Sequence, residues 1–142
     1  MQKGNYFTWS FFGLALCQAF HSSEEILTRL YDIPARVSAR IHDSIAFFPV
    51  FFVNGNVFSV INILIISSLF TVCIFVIKGK KWAARLAVII GIIEMLNGLA
   101  HITVAIIKWN YFPGCITAFG LIIFGLMVFI YYGSHEYEKI PG

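Results

Sequence analysis

The sequence predicts an all-α integral membrane protein, a four-helix transmembrane bundle with a short interfacial amphipathic element between the first and second spans. Three observations carry that expectation. Hydrophobic residues make up 59% of the 142 and charged residues only 12%, a balance outside the range of soluble domains. Apolar runs recur at about the 20-residue length that a helix needs to cross about 30 Å of hydrocarbon. No polar stretch is long enough to fold by itself, so residues 1–142 are expected to form a single transmembrane domain.

The first span is expected over about residues 6–25, an apolar run that ends in the polar block His21-Ser22-Ser23-Glu24-Glu25 and can continue as helix to Leu30. Lys3 followed by this run also has the outline of a signal peptide, and Leu14-Ala15-Leu16-Cys17 hints at a lipoprotein cleavage box. Leu16 is large where such sites need a small residue, which favours an uncleaved helix. Residues 29–53 are expected at the interface. Arg29, Arg36 and Arg40 alternate there with Leu30, Ile33, Val37 and Ile41, the pattern of a short amphipathic element. Pro49 and Asn54-Gly55-Asn56 then separate a short piece, Ile45 to Val53, from the second span at about 57–77. The third span is expected at about 83–107. Tyr111-Phe112-Pro113-Gly114 makes a tight connection into the fourth, at about 115–132, with Pro113 in its first turn.

Charge sets the expected orientation. Lys3, Lys78, Lys80, Lys81, Arg85 and Lys139 fall on one side, against Arg29, Arg36, Arg40 and Lys108 on the other, which puts both termini in the cytoplasm by the positive-inside rule. The expected location is the cell (inner) membrane. The net charge of +3 is clustered beside apolar runs and points to membrane lipids as partners and not to nucleic acid. Cys17, Cys73 and Cys115 are far apart and each lies in an apolar run, so they form neither a disulfide framework nor a zinc motif. Gly91, Gly98 and Ala105 repeat at seven-residue spacing on the third helix and permit close packing, within the chain or between chains.

An ionisable side chain at the centre of a span costs about 2.5–3.5 kcal/mol on insertion scales, so each one asks for a reason. Glu94 lies near the middle of the third span, and offsets of three and seven residues put it on one face with Asn97 and His101. His21 and Glu25 are one helical turn apart, with Glu24 beside them. His101 lies about 24 Å along its helix from Arg85, near the face that the first span reaches at His21, so the two clusters are expected to meet. His42, Asn54, Asn56, Tyr111 and Thr117 lie on that same face. Glu94 sits about 10.5 Å below His101, too far for one ion to bridge, and is therefore a separate site or a proton-handling group. His42 with Asp43, and His135 with Glu136, fall at span ends and are expected to be solvated. Asn54, Asn56 and Asn62 read as turn formers or interhelical bonds, and the fifteen Phe and six Tyr as lipid-facing surface.

His21-x-x-Glu24-Glu25, Asn97-x-x-x-His101 and Tyr111-x-Pro113-Gly114 together resemble the HXXEE domain family, small multi-pass membrane proteins of unknown function. The resemblance spans nearly the whole chain, and Thr28 and Pro34 loosely match the Thr and the Pro-containing stretch that usually follow the Glu-Glu pair. It implies the multi-pass architecture, and an enzymatic or metal-binding role inferred for the family from the same polar residues.

The residues themselves support a membrane-embedded metal site with His21, Glu25 and His101 as ligands and Asn97 as ligand or neighbour. Glu94 and Glu24 are the candidate catalytic groups. Mixed imidazole and carboxylate donors suit Zn²⁺, Fe²⁺ or Mn²⁺ with a position open to water or substrate. The substrate expected at such a depth is lipid-like or small and hydrophobic. Two other readings stand beside this one: a metal-free acid–base isomerase using His21, Glu25 and Glu94, and a non-catalytic lipid- or ion-binding subunit.

Overall fold

In the computed structural model, which describes residues 3–133, the chain is all helical, with no strand among those residues. His135, Glu136 and Lys139 lie outside them. The helices are α1 (Lys3–Leu27), α2 (Asp32–Ser44), α3 (Gly55–Ile77), α4 (Lys81–Lys108) and α5 (Cys115–Gly133). Three of these, α3, α4 and α5, are long and apolar enough to cross a membrane.

The long helices run alternately up and down. Tyr6 near the start of α1 stacks on Tyr131 near the end of α5, while His21 near the end of α1 reaches Thr117 near the start of α5. α4 packs on α5, α5 on α1, α1 on α3 and α3 on α4, which closes a ring. α1 is the most enclosed of them. Its stripe of Phe7, Phe11, Leu14 and Ala15 is buried, and the same stripe continues into Gln18, His21, Ser22 and Glu25, also buried. The three- and four-residue spacing of a helix thus delivers an apolar core at one end and a polar one at the other.

On α4 the buried stripe is Ala84, Ala87, Gly91, Glu94, Gly98 and His101, alternating steps of three and four residues. The small members set the helix spacing. A Cβ on Gly98 would stand 2.8 Å from the Ala118 carbonyl oxygen, and one on Gly125 2.7 Å from that of Gly91. Backbones this close give the tight van der Waals packing on which helix pairs depend in lipid. The small residues at 91 and 98 therefore serve packing within the chain.

Hydroxyls in the helices are satisfied locally. Ser10, Ser23, Ser59, Ser68 and Thr71 each donate to the carbonyl four residues earlier, so few polar groups remain unpaired in an apolar surround. Ends are defined by backbone chemistry. The Asn54 side chain accepts from the Asn56 N–H and caps α3, and α4 ends at Trp109 in the left-handed conformation, φ 47°.

α2 starts at Asp32, three residues after the left-handed Arg29, φ 58°, so the helix expected to run on from the first span stops at Leu27. Ser38 of α2 is buried and accepts from the Phe51 N–H at 2.9 Å, holding residues 45–54 against the helix. His42 is exposed, and its Nδ1–H donates to the Phe48 carbonyl at 2.7 Å. Pro113 lies before α5 and not in its first turn, because the helix begins at Cys115, with Gly114 supplying the carbonyl that accepts from the Ala118 N–H.

Candidate metal centre

The polar ends of the two buried stripes meet. His21, Glu25 and His101 each offer one ligand atom, and the three atoms lie within 4.8 Å of one another. All three residues are buried. The Nε2 atoms of His21 and His101 both stand 3.2 Å from Oε1 of Glu25, and the two rings meet edge to face with centroids 4.7 Å apart.

The outer hydrogen bonds fix the tautomers. His101 Nδ1 stands 2.5 Å from the Pro113 carbonyl oxygen, which only accepts, so Nδ1 carries the proton. His21 Nδ1 stands 2.9 Å from Thr117 Oγ1. That hydroxyl already donates to Glu24 Oε2 at 2.7 Å, so it accepts from the imidazole and His21 Nδ1 is protonated as well. Both Nε2 atoms are then free to present lone pairs toward one carboxylate oxygen. Three lone-pair donors in a buried space repel unless a positive charge lies among them, either a metal ion or protons on the imidazoles.

Glu24 faces the first turn of α5. Its carboxylate accepts from the Tyr111 hydroxyl at 2.6 Å, the Ile116 N–H at 3.3 Å, the Thr117 N–H at 3.0 Å and the Thr117 hydroxyl. The N–H groups at a helix start have no partners within the helix, and a carboxylate there is favoured by the helix dipole. Glu24 therefore fastens α5 to α1 and reaches the cluster only through Thr117. Partial burial, and then the hydrogen bond to Glu24, push the Tyr111 phenol up to about 12. A raised acid keeps its proton longer in the folded protein. The Tyr111–Glu24 bond persists above the ordinary phenol range and is lost as pH rises through about 12.

Gly114 makes the close approach possible. It has φ +85°, and a Cβ there would lie 2.7 Å from both His101 Nδ1 and His21 Cε1. Only glycine meets both conditions without strain.

Asn97 links this cluster to Glu94. Its Nδ2 stands 3.4 Å from His21 Nε2, and it lies one helical turn from Glu94 on α4. Glu94 is buried, yet it lines a cleft of about 340 Å³ between α3 and α4 whose other walls include Ile65, Leu69, Ile90 and Ile93. The six predicted site residues thus divide in three: His21, Glu25 and His101 converge, Asn97 and Glu94 form an arm toward the α3–α4 cleft, and Glu24 turns to α5. Among the other polar residues expected on this face, Thr117 joins directly at His21 and Tyr111 through Glu24, while Asn54 and Asn56 bond each other and His42 bonds Phe48. Asn62 accepts from Ser22 across α1 and α3 at 2.6 Å.

The specific role of Thr117 was missed in the sequence, where a lone Thr near a turn carries no signal of its partners. Its hydroxyl orients His21 as outer-shell groups orient metal-binding imidazoles. If this group holds a metal, Thr117→Val, which keeps the branched shape, is expected to weaken its binding about 10–100-fold with helix content unchanged. Titration of the metal-stripped protein checks this.

Residues 12–129 match the family described as a protein of unknown function with HXXEE motif. The match covers most of the chain, and the chain belongs to that family. No curated protein and no solved structure matches it.

Proposed function

We propose that this HXXEE-family chain is a membrane-embedded, metal-dependent enzyme acting on a lipid-like or small hydrophobic substrate. In this reading α1 is a fourth span beside α3, α4 and α5, and the chain forms one transmembrane domain with α2 lying at the interface. Lys78, Lys80, Lys81 and Arg85 mark the cytoplasmic side, which both termini share.

The observation that carries the reading is the convergence of two Nε2 lone pairs on Glu25 Oε1, each imidazole held from behind by an acceptor for its Nδ1–H. Backing of this kind is the usual companion of metal-binding histidine. His21, Glu25 and His101 would hold Zn²⁺, Fe²⁺ or Mn²⁺, with Asn97 beside them. A bound ion supplies a Lewis acid or an activated water.

The remaining residues have separate tasks. Glu24 and Thr117 position His21, which makes Glu24 a positioning group in this reading. Gly114 leaves room for both rings. Glu94 handles a proton at the edge of the α3–α4 cleft, where an apolar substrate enters from the bilayer, and Asn97 beside it reaches His21.

A second reading is favoured by the same 3.2 Å distances, which also suit a carboxylate bridging protonated imidazoles. The chain is then a metal-free acid–base catalyst. Elemental mass spectrometry on detergent-purified protein, prepared without chelator, separates the two. The expected result is one equivalent of a transition metal in wild type, lost in His21→Ala and in His101→Ala while circular dichroism stays helical. Folded wild type without metal would overturn the metal reading and leave acid–base chemistry.

A further inference from the structure

Three cations on one face of the molecule have no ion-pair partner among the described residues. Arg36 and Arg40 are a turn apart on α2, and Lys108 ends α4. All three line a pocket of about 510 Å³ between α2 and the α4–α5 connection, together with Asn110 and the apolar Ile33 and Val37. No carboxylate lines it. Arg36 reaches only the Asp32 carbonyl, at 3.4 Å, and Lys108 only the face of the Phe112 ring, 5.2 Å from its centroid. Among the described residues none of the three forms an ion pair. Arg29, by contrast, is paired with Asp32 at 3.0 Å.

Three like charges around one concavity, exposed to solvent as these are, attract an anion to it. The surroundings set its chemical class. Trp109 is 92% exposed, Phe47 90% and Phe52 83%, and all three lie at the same end of the helices as the pocket. An exposed Trp at a helix end marks the level of lipid headgroups, and the exposed Phe rings beside it add apolar surface for acyl chains. A pocket with a cationic rim and apolar Ile33 and Val37 in its wall suits a phosphate that carries acyl chains better than a free phosphate, which has nothing to place against those side chains.

We infer that the pocket formed by Arg36, Arg40 and Lys108 is a binding site for the headgroup of an anionic phospholipid. The inference rests on the pocket's own residues and stands whether or not His21, Glu25 and His101 hold a metal. Arg36 and Arg40 present guanidinium groups that pair two oxygens of a phosphate at once, and Lys108 adds a point charge from the opposite wall. The site also adjoins the metal centre, since Pro113, whose carbonyl accepts from His101, lies in its wall.

Native mass spectrometry of the full-length protein tests the inference. The protein is released from micelles carrying either dioleoylphosphatidylglycerol or dioleoylphosphatidylcholine. The expected result is one retained phosphatidylglycerol, held at least about tenfold more strongly than phosphatidylcholine, given the worth of each basic residue near a headgroup. Arg36→Gln/Arg40→Gln/Lys108→Gln abolishes the preference, and Lys108→Gln alone reduces it. Lys78→Gln/Lys80→Gln/Lys81→Gln, at the other end of the helices, leaves it intact. Equal retention of the two lipids, a preference that survives the pocket triple variant, or one that falls as far in the Lys78/Lys80/Lys81 variant would overturn it.

Discussion

Gly114→Ala is expected to destabilise the folded protein by about 2–4 kcal/mol, through a strained backbone and an overpacked contact together, and to weaken metal binding by more than tenfold. Two terms add. Position 114 has φ +85°, where a residue with a Cβ is strained, and the new methyl group would stand 2.7 Å from atoms of both imidazoles. Neither ring has freedom to retreat, because His101 is tied to Pro113 and His21 to Thr117. Gly79→Ala separates the terms: it has φ +70° with nothing within 4 Å of the new Cβ. That variant should lose only about 1 kcal/mol, the strain alone. Thermal unfolding in detergent measures both. Equal losses for the two variants would mean that the imidazoles are not packed against residue 114.

Glu25→Gln is expected to remove the metal almost completely, with affinity falling more than the 10–100-fold that loss of an outer-shell partner typically causes. The amide keeps the shape of the side chain and one acceptor oxygen but loses the charge that both Nε2 atoms face at 3.2 Å. Helix content should stay unchanged, since Glu25 is buried at one end of α1 and the apolar core between Phe7 and Ala15 does not depend on it. A folded Glu25→Gln protein that kept its metal at wild-type affinity would place the ion elsewhere.

Much of this arrangement was legible in the sequence. The helix bounds follow from apolar run length: α3 begins at Gly55 where the second span was expected from about 57, α4 differs from expectation by two residues at its start and one at its end, and α5 starts where expected and ends one residue later. The meeting of His21 with His101 followed from depth alone, because rise per residue puts both near one end of their helices. Glu24 was not legible in the same way. Adjacent glutamates on a helix point about a quarter-turn apart, so one enters the cluster and the other reaches α5, and nothing in the Glu-Glu pair says which. The contact of Asn97 with His21 also needed the structure, since spacing gives a shared face but not which neighbour an amide meets. The Arg36–Arg40–Lys108 pocket was half visible. The amphipathic pattern of α2 put the arginines on one helix, but Lys108 joins them only through the fold.

X-ray absorption spectroscopy at the edge of the bound transition metal tests the central claim most directly, on wild type loaded with one equivalent and on His101→Ala. The expected spectrum shows nitrogen and oxygen neighbours at about 2.0–2.2 Å with the outer scattering of two imidazoles, one of which disappears in the variant. A sulfur shell at about 2.3 Å, which would move the ion to a cysteine, or a spectrum without imidazole scattering would contradict a centre built from His21, Glu25 and His101.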